Sequence, residues 1–130
     1  MPLRCLIVDD NLNFREEMRG LLVEQGLDVV GGAGSAAEAL RQIVGLRPDV
    51  ALIDIDLGDE SGLELARQLG ERPGQAAVPE MILISTHDEA EYAELIEASP
   101  AIGFLAKTDL SAPRIRRMLV TADGNEAGEP

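Results

Sequence analysis

The chain is 130 residues long, 45% hydrophobic and 27% charged, with a net charge of −13 at neutral pH. That length suits one domain with a single sizeable core, and the acidity argues against a direct nucleic-acid partner, because phosphate binding needs clustered lysine and arginine. Aromatic residues make up only 2%, so the core must be aliphatic.

The first apolar run, "RCLIVD" over 4–9, reads as a strand. It holds the single cysteine, Cys5, which leaves no partner for an internal disulfide and fits a buried, inert thiol in a reducing compartment. Phe14, Met18, Leu21 and Leu22 follow at helical spacing, with Gly26 as a stop. "DVVGGAG" (28–34) is a second strand, and Ser35 with Glu38 forms a capping box leading into Leu40, Ile43 and Val44. "DVALID" (49–54) is a third strand, followed by a short helix marked by Gly62, Leu65, Ala66 and Leu69. After a loop, "ERPGQAAVP" (71–79), comes a fourth strand, "EMILIS" (80–85), then a helix carrying Tyr92, Leu95, Ile96 and Ser99 that stops near Pro100. "IGFLAK" (102–107) is the fifth strand, and Ser111 caps a last helix with Ile115, Met118, Leu119 and Ala122.

Strand and helix thus alternate five times, which predicts an α/β domain over 1–122 with a mainly parallel sheet, covered on both faces. The residues 123–130, "DGNEAGEP", carry no apolar run and are expected to form a disordered tail or the start of a linker. No stretch approaches a membrane span and no signal-peptide pattern opens the chain, so a cytoplasmic location without membrane contact is expected.

In an open parallel sheet, sites form outside the carboxyl ends of the strands. Asp9 and Asp10 end the first strand, Asp54 the third, Ser85 and Thr86 the fourth, and Lys107 the fifth. Any one of these is an ordinary polar strand end. Together they place three carboxylates, two hydroxyls and an ammonium on one edge. Close carboxylates repel and shift their ionisation unless a cation joins them. Oxygen-only ligands suit Mg²⁺, which keeps several waters and meets phosphate oxygens, and Lys107 adds a point charge for a phosphoryl group. The pattern predicts magnesium-assisted phosphoryl transfer.

On "VDDN" (8–11), "PDVALIDIDLGDESGLEL" (48–65), "LIST" (83–86) and "GFLAK" (103–107), the chain resembles the receiver domains of bacterial two-component response regulators. The resemblance implies a flavodoxin-like (βα)5 doubly wound sheet of order 2-1-3-4-5, and a phosphorylation-controlled switch rather than an enzyme acting on other substrates. It implies Asp54 as phosphoacceptor from a histidine kinase or phosphotransfer protein. It implies Mg²⁺ held by the side chains of Asp10 and Asp54, by Asp9 through water and by the backbone carbonyl of Asp56. Lys107 would neutralise phosphoryl charge, while Ser85 would turn to the new phosphate and Phe104 would move inward with it. The output would then be a remodelled surface of the fourth helix, fifth strand and fifth helix.

Several positions depart from that pattern. Gly58 replaces a frequent proline, implying a looser loop; Thr86 is bulkier than usual beside the phosphate; Phe104 lacks the hydroxyl of the more frequent tyrosine. Asp56 and His87, two beyond Asp54 and Ser85, stand where acyl-phosphate lifetime is commonly tuned, although a solvent-exposed histidine is the simpler reading. Arg114, Arg116 and Arg117 read first as a solvated face, then as a protein-binding surface. With Glu89, Glu91, Glu94 and Glu97 opposite them, a homodimer through the switch surface is a further expectation. The downstream partner is an unidentified protein or a DNA-binding module outside the chain, since "KTDLS" (107–111) resembles receivers that precede a helix-turn-helix domain. The enzyme alternative is a haloacid-dehalogenase-like phosphatase, from the D-x-D of "DIDLG", but there the motif follows the first strand.

Overall fold

The computed structural model describes residues 2–71, 78–86 and 91–127, the last five by backbone alone. Five strands, β1 (Arg4–Val8), β2 (Asp28–Ala33), β3 (Val50–Asp54), β6 (Glu80–Ser85) and β7 (Gly103–Ala106), form one sheet in the order β2-β1-β3-β6-β7, every pairing parallel. Counted among themselves these strands give 2-1-3-4-5, the flavodoxin-like order. The labels β4 and β5 belong to a small antiparallel hairpin, Asp56–Leu57 against Glu60–Ser61. Five helices complete the chain: α1 (Leu12–Glu24), α2 (Ala36–Leu46), α3 (Gly62–Gly70), α4 (Ala93–Ala98) and α5 (Ala112–Ala127).

The strands are apolar at nearly every position because both faces are covered. Alternate side chains go to opposite faces. Leu6, Val8, Ala51, Ile53, Met81 and Leu83 pack with Ala39, Ile43, Leu65, Ala66, Leu69 and Ile96 from α2, α3 and α4. Cys5, Ile7, Val50, Leu52, Ile82 and Ile84 pack on the other face with Met18, Leu22, Ala112 and Ile115 from α1 and α5. Val30 interrupts the alternation: the β1–β2 register steps from Cys5↔Val29 to Leu6↔Gly31, a bulge at the edge strand.

Side-chain caps fix the helix starts. Ser35 Oγ accepts from the Glu38 N–H (3.2 Å) and Ser111 Oγ from the Arg114 N–H (3.3 Å), as expected from the sequence. Glu38 returns its carboxylate to the Gly34 N–H (2.8 Å), one residue before the cap. Asn11 and Ser61 cap α1 and α3. A longer-range cap joins the two helices of one face: Gln25, at the end of α1, accepts the Ala112 N–H at the start of α5 (2.7 Å).

One local expectation changes and one gains a physical reason. The backbone of α5 continues past Ala122 to Ala127, five residues into the segment read as irregular. Gly58 also has a conformational role: it sits at φ +70° in the two-residue turn of the β4–β5 hairpin. Proline cannot adopt that φ, and a Cβ here would stand 3.1 Å from Asp10 Oδ2.

Candidate functional site

β1 and β3 lie side by side in the middle of the sheet, so their ends meet. Asp9 follows β1 and is fully buried; Asp54 closes β3 and is 5% exposed. Each accepts a backbone N–H two residues on: Asp9 Oδ1 from Asn11 (2.9 Å) and Asp54 Oδ1 from Asp56 (3.0 Å). These paired turns fix one oxygen of each carboxylate against the loop. The other oxygens face Lys107, whose Nζ lies 2.6 Å from Asp9 Oδ2 and 3.1 Å from Asp54 Oδ2. A short 3-10 turn over Lys107–Asp109 delivers the ammonium at the end of β7.

Asp10 is exposed, and one oxygen from each of Asp9, Asp10 and Asp54 lies within 4.8 Å of the others. Asp9 Oδ2 is buried without a hydrogen bond of good geometry, although the ammonium is close. Three carboxylates converging within 4.8 Å, all oxygen donors and one of them exposed, fit a hard divalent cation. Burial pushes the Asp54 carboxyl up to about 6; the Asp56 N–H opposes this, the Asp9 charge adds to it and Lys107 pulls it back. Burial also tends to lower the Lys107 pKa, but Asp9 and Asp54 outweigh that and hold it above its ordinary value. The pair of acids thus favours the charged ammonium of Lys107, while burial resists charge on Asp54.

Of the remaining predicted residues, Asp56 reaches this centre through its N–H. Ser85, at the end of β6, is buried, and Thr86 beyond it is exposed. Asp56 is exposed at the start of β4, next to Asp54. Phe104, on β7 opposite Leu83, is half-buried and packs on the α2–α3–α4 side of the core. His87 lies outside the described residues. Arg114, Arg116, Arg117, Glu91, Glu94 and Glu97 are all exposed.

The family model for the response regulator receiver domain matches residues 5–120. The chain belongs to this family. The receiver is 34% identical over 121 residues to an uncharacterized response regulatory protein of Vibrio cholerae, covering 90% of this chain and 48% of that one. It is 45% identical over 67 residues to the DNA-binding transcriptional activator DevR/DosR of Mycobacterium tuberculosis, covering 51% and 31%. It superposes on the signal receiver domain of a modulated diguanylate cyclase from Desulfovibrio desulfuricans with a TM-score of 0.77 at 29% identity, covering 99% and 100% of the two chains. The chain thus spans less than half the length of these curated relatives. The phosphatase alternative falls away: Asp54 ends the third strand of a receiver. Among the described residues, no helix is long and apolar enough to cross a membrane.

Two contributors escaped the sequence reading. Phe14 counted only as an apolar position of α1, yet its ring lies under the Lys107 ammonium, 4.3 Å from Nζ to the ring centroid. Its place one helical turn beyond Asp10 was the available signal. Glu60, in the hairpin beside Asp54, accepts the first N–H of α2 at Ala36 (2.9 Å); nothing local in the sequence marks that contact.

Proposed function

We propose that the receiver is a phosphorylation-controlled signalling switch in which Asp54 is the phosphoacceptor. The observation that carries this reading is the convergence of Asp9, Asp10 and Asp54 on one cation-sized space, with Lys107 bridging two of them. The donor is a phosphohistidine on a histidine kinase or phosphotransfer protein. An Asp54 oxygen forms the new O–P bond as the P–N bond breaks, and the departing imidazole takes up a proton. Asp9, Asp10, Asp54 and the Asp56 carbonyl would hold Mg²⁺, which when bound neutralises phosphoryl oxygen charge. Lys107 adds a fixed positive charge on the same side, and the low solvent access of Asp54 strengthens that attraction.

The buried Ser85 hydroxyl would bond the new phosphate, and the packing of Phe104, on the neighbouring strand, would follow. That change is read on the surface of α4, β7 and α5 by a downstream partner, in a cytoplasmic setting. Catalysis is confined to the receiver's own phosphorylation and dephosphorylation, which Asp56, Thr86 and His87 would tune. The similarity to DevR/DosR favours one output over others, a DNA-binding module joined to the receiver; a homodimer through the same surface is compatible with it.

Intact-protein mass after incubation with Mg²⁺ and a small phosphodonor tests the reading. A gain of one phosphoryl group, lost in Asp54→Asn and without Mg²⁺, is expected. A gain that survives Asp54→Asn would overturn the assignment.

A further inference from the structure

Lys107 is held by more than carboxylates. Its side chain is 12% exposed, and Nζ has Asp9 and Asp54 on one side and the Phe14 ring on another. At 4.3 Å from the centroid the ammonium lies well within cation–π range, and the limited solvent access strengthens such a contact. The ring is itself anchored, because Phe14 is partly buried and packs on the core cluster of α1 and α5. Its backbone N–H is bound by the α1 cap, Asn11 Oδ1, at 3.1 Å. The cap follows directly on Asp10, so the loop that carries two of the acids also fixes the ring.

We propose that Phe14 is a positioning residue for Lys107, holding the ammonium between the carboxylates so that it meets the transferring phosphoryl group without rearrangement. The inference rests on Asp54 as phosphoacceptor and adds a residue outside the acid–lysine set. A lysine has four rotatable bonds and would otherwise follow whichever carboxylate is more exposed. A π face beside the carboxylates narrows its placements before the donor arrives, which raises the transfer rate and leaves donor binding unaltered. The second tie between α1 and this segment, Gln25 to Ala112, keeps the backbone just beyond Lys107 at a fixed distance from the same helix.

The test compares the 130-residue protein with Phe14→Leu, which keeps an apolar side chain but removes the π face, and Phe14→Tyr, which restores it. The rate of mass gain is followed against phosphodonor concentration at saturating Mg²⁺. The Lys107 Hε resonances are read by NMR without Mg²⁺ or donor, and circular dichroism verifies the fold. For Phe14→Leu a roughly five-fold lower maximal rate at unchanged half-saturation is expected, with loss of the upfield ring-current shift on Lys107 Hε. Phe14→Tyr should restore both. An unchanged maximal rate in a folded Leu variant, or Lys107 Hε signals without a ring-current shift in the wild type, would overturn the positioning role alone. No phosphoryl gain by the wild type from either a small donor or a kinase would overturn the phosphoacceptor reading, and this role with it.

Discussion

Neutralising Asp54 should stabilise the receiver in the absence of metal, by an amount set by pH. Asp54, whose side chain is 7% exposed, titrates near 6 in the fold against an ordinary value of 3.8. Because the folded value is raised, its favourable contribution is complete below about pH 4 and is lost as the pH rises through about 6. Two units at 1.36 kcal/mol each set a ceiling of about 3 kcal/mol for the resulting penalty. Asparagine matches the neutral carboxyl only in part, so a gain of about 1–2 kcal/mol is expected for Asp54→Asn near pH 7.5. Near pH 4, where the wild-type carboxyl is neutral, the advantage should be gone and the asparagine protein should be the less stable by about 1 kcal/mol, the cost of the imperfect match. Urea unfolding followed by circular dichroism in chelator measures the difference. Mg²⁺ should narrow it near pH 7.5, since the ion binds the folded wild type more tightly than the mutant. An Asn variant that is no more stable near pH 7.5, or equally favoured at both pH values, would refute the picture of a carboxylate held charged against its surroundings.

Gly20 lies inside α1 with nothing within 4 Å of an added Cβ, so Gly20→Ala should stabilise the fold by about 0.5–1 kcal/mol, read as a higher urea midpoint. Gly62 is the opposite case: a Cβ would stand 1.9 Å from the Asp54 carbonyl oxygen, where α3 meets the end of β3. Gly62→Ala should cost about 2 kcal/mol or more, and the shifted Asp54 backbone should weaken Mg²⁺ binding in calorimetry. Burial pushes the Cys5 thiol up to about 12, so a thiol reagent should label the native protein slowly and only in step with urea-induced unfolding. Gln25→Ala removes the acceptor for the Ala112 N–H and should lower stability by about 1 kcal/mol, with the loss seen first as faster amide exchange at the start of α5.

The five strands were legible because a sheet covered on both faces imposes near-continuous apolar runs, and each run ends close to its strand. The edge cluster was legible for the same reason: once the strands are parallel, Asp9, Asp54, Ser85 and Lys107 have to share one edge. The β4–β5 hairpin was not, because two-residue strands carry no periodicity, and nothing local in the sequence shows that Gly58 takes a positive φ in the turn. Phe14 and Gln25 were missed for a different reason. Each looks like an ordinary helix residue, and its significance comes from a partner roughly ninety residues away, Lys107 for one and Ala112 for the other. The continuation of α5 beyond Ala122 is a backbone feature without an apolar signature, so hydropathy could not announce it.

The central claim is that phosphate enters the chain at one carboxylate, and locating that carboxylate is the most direct test. The receiver would be phosphorylated in Mg²⁺ and reduced with borohydride, which converts an aspartyl phosphate to homoserine, and then digested and sequenced by mass spectrometry. Homoserine confined to position 54 is the predicted result. Homoserine at position 9, 10 or 56 in place of 54 would contradict the account.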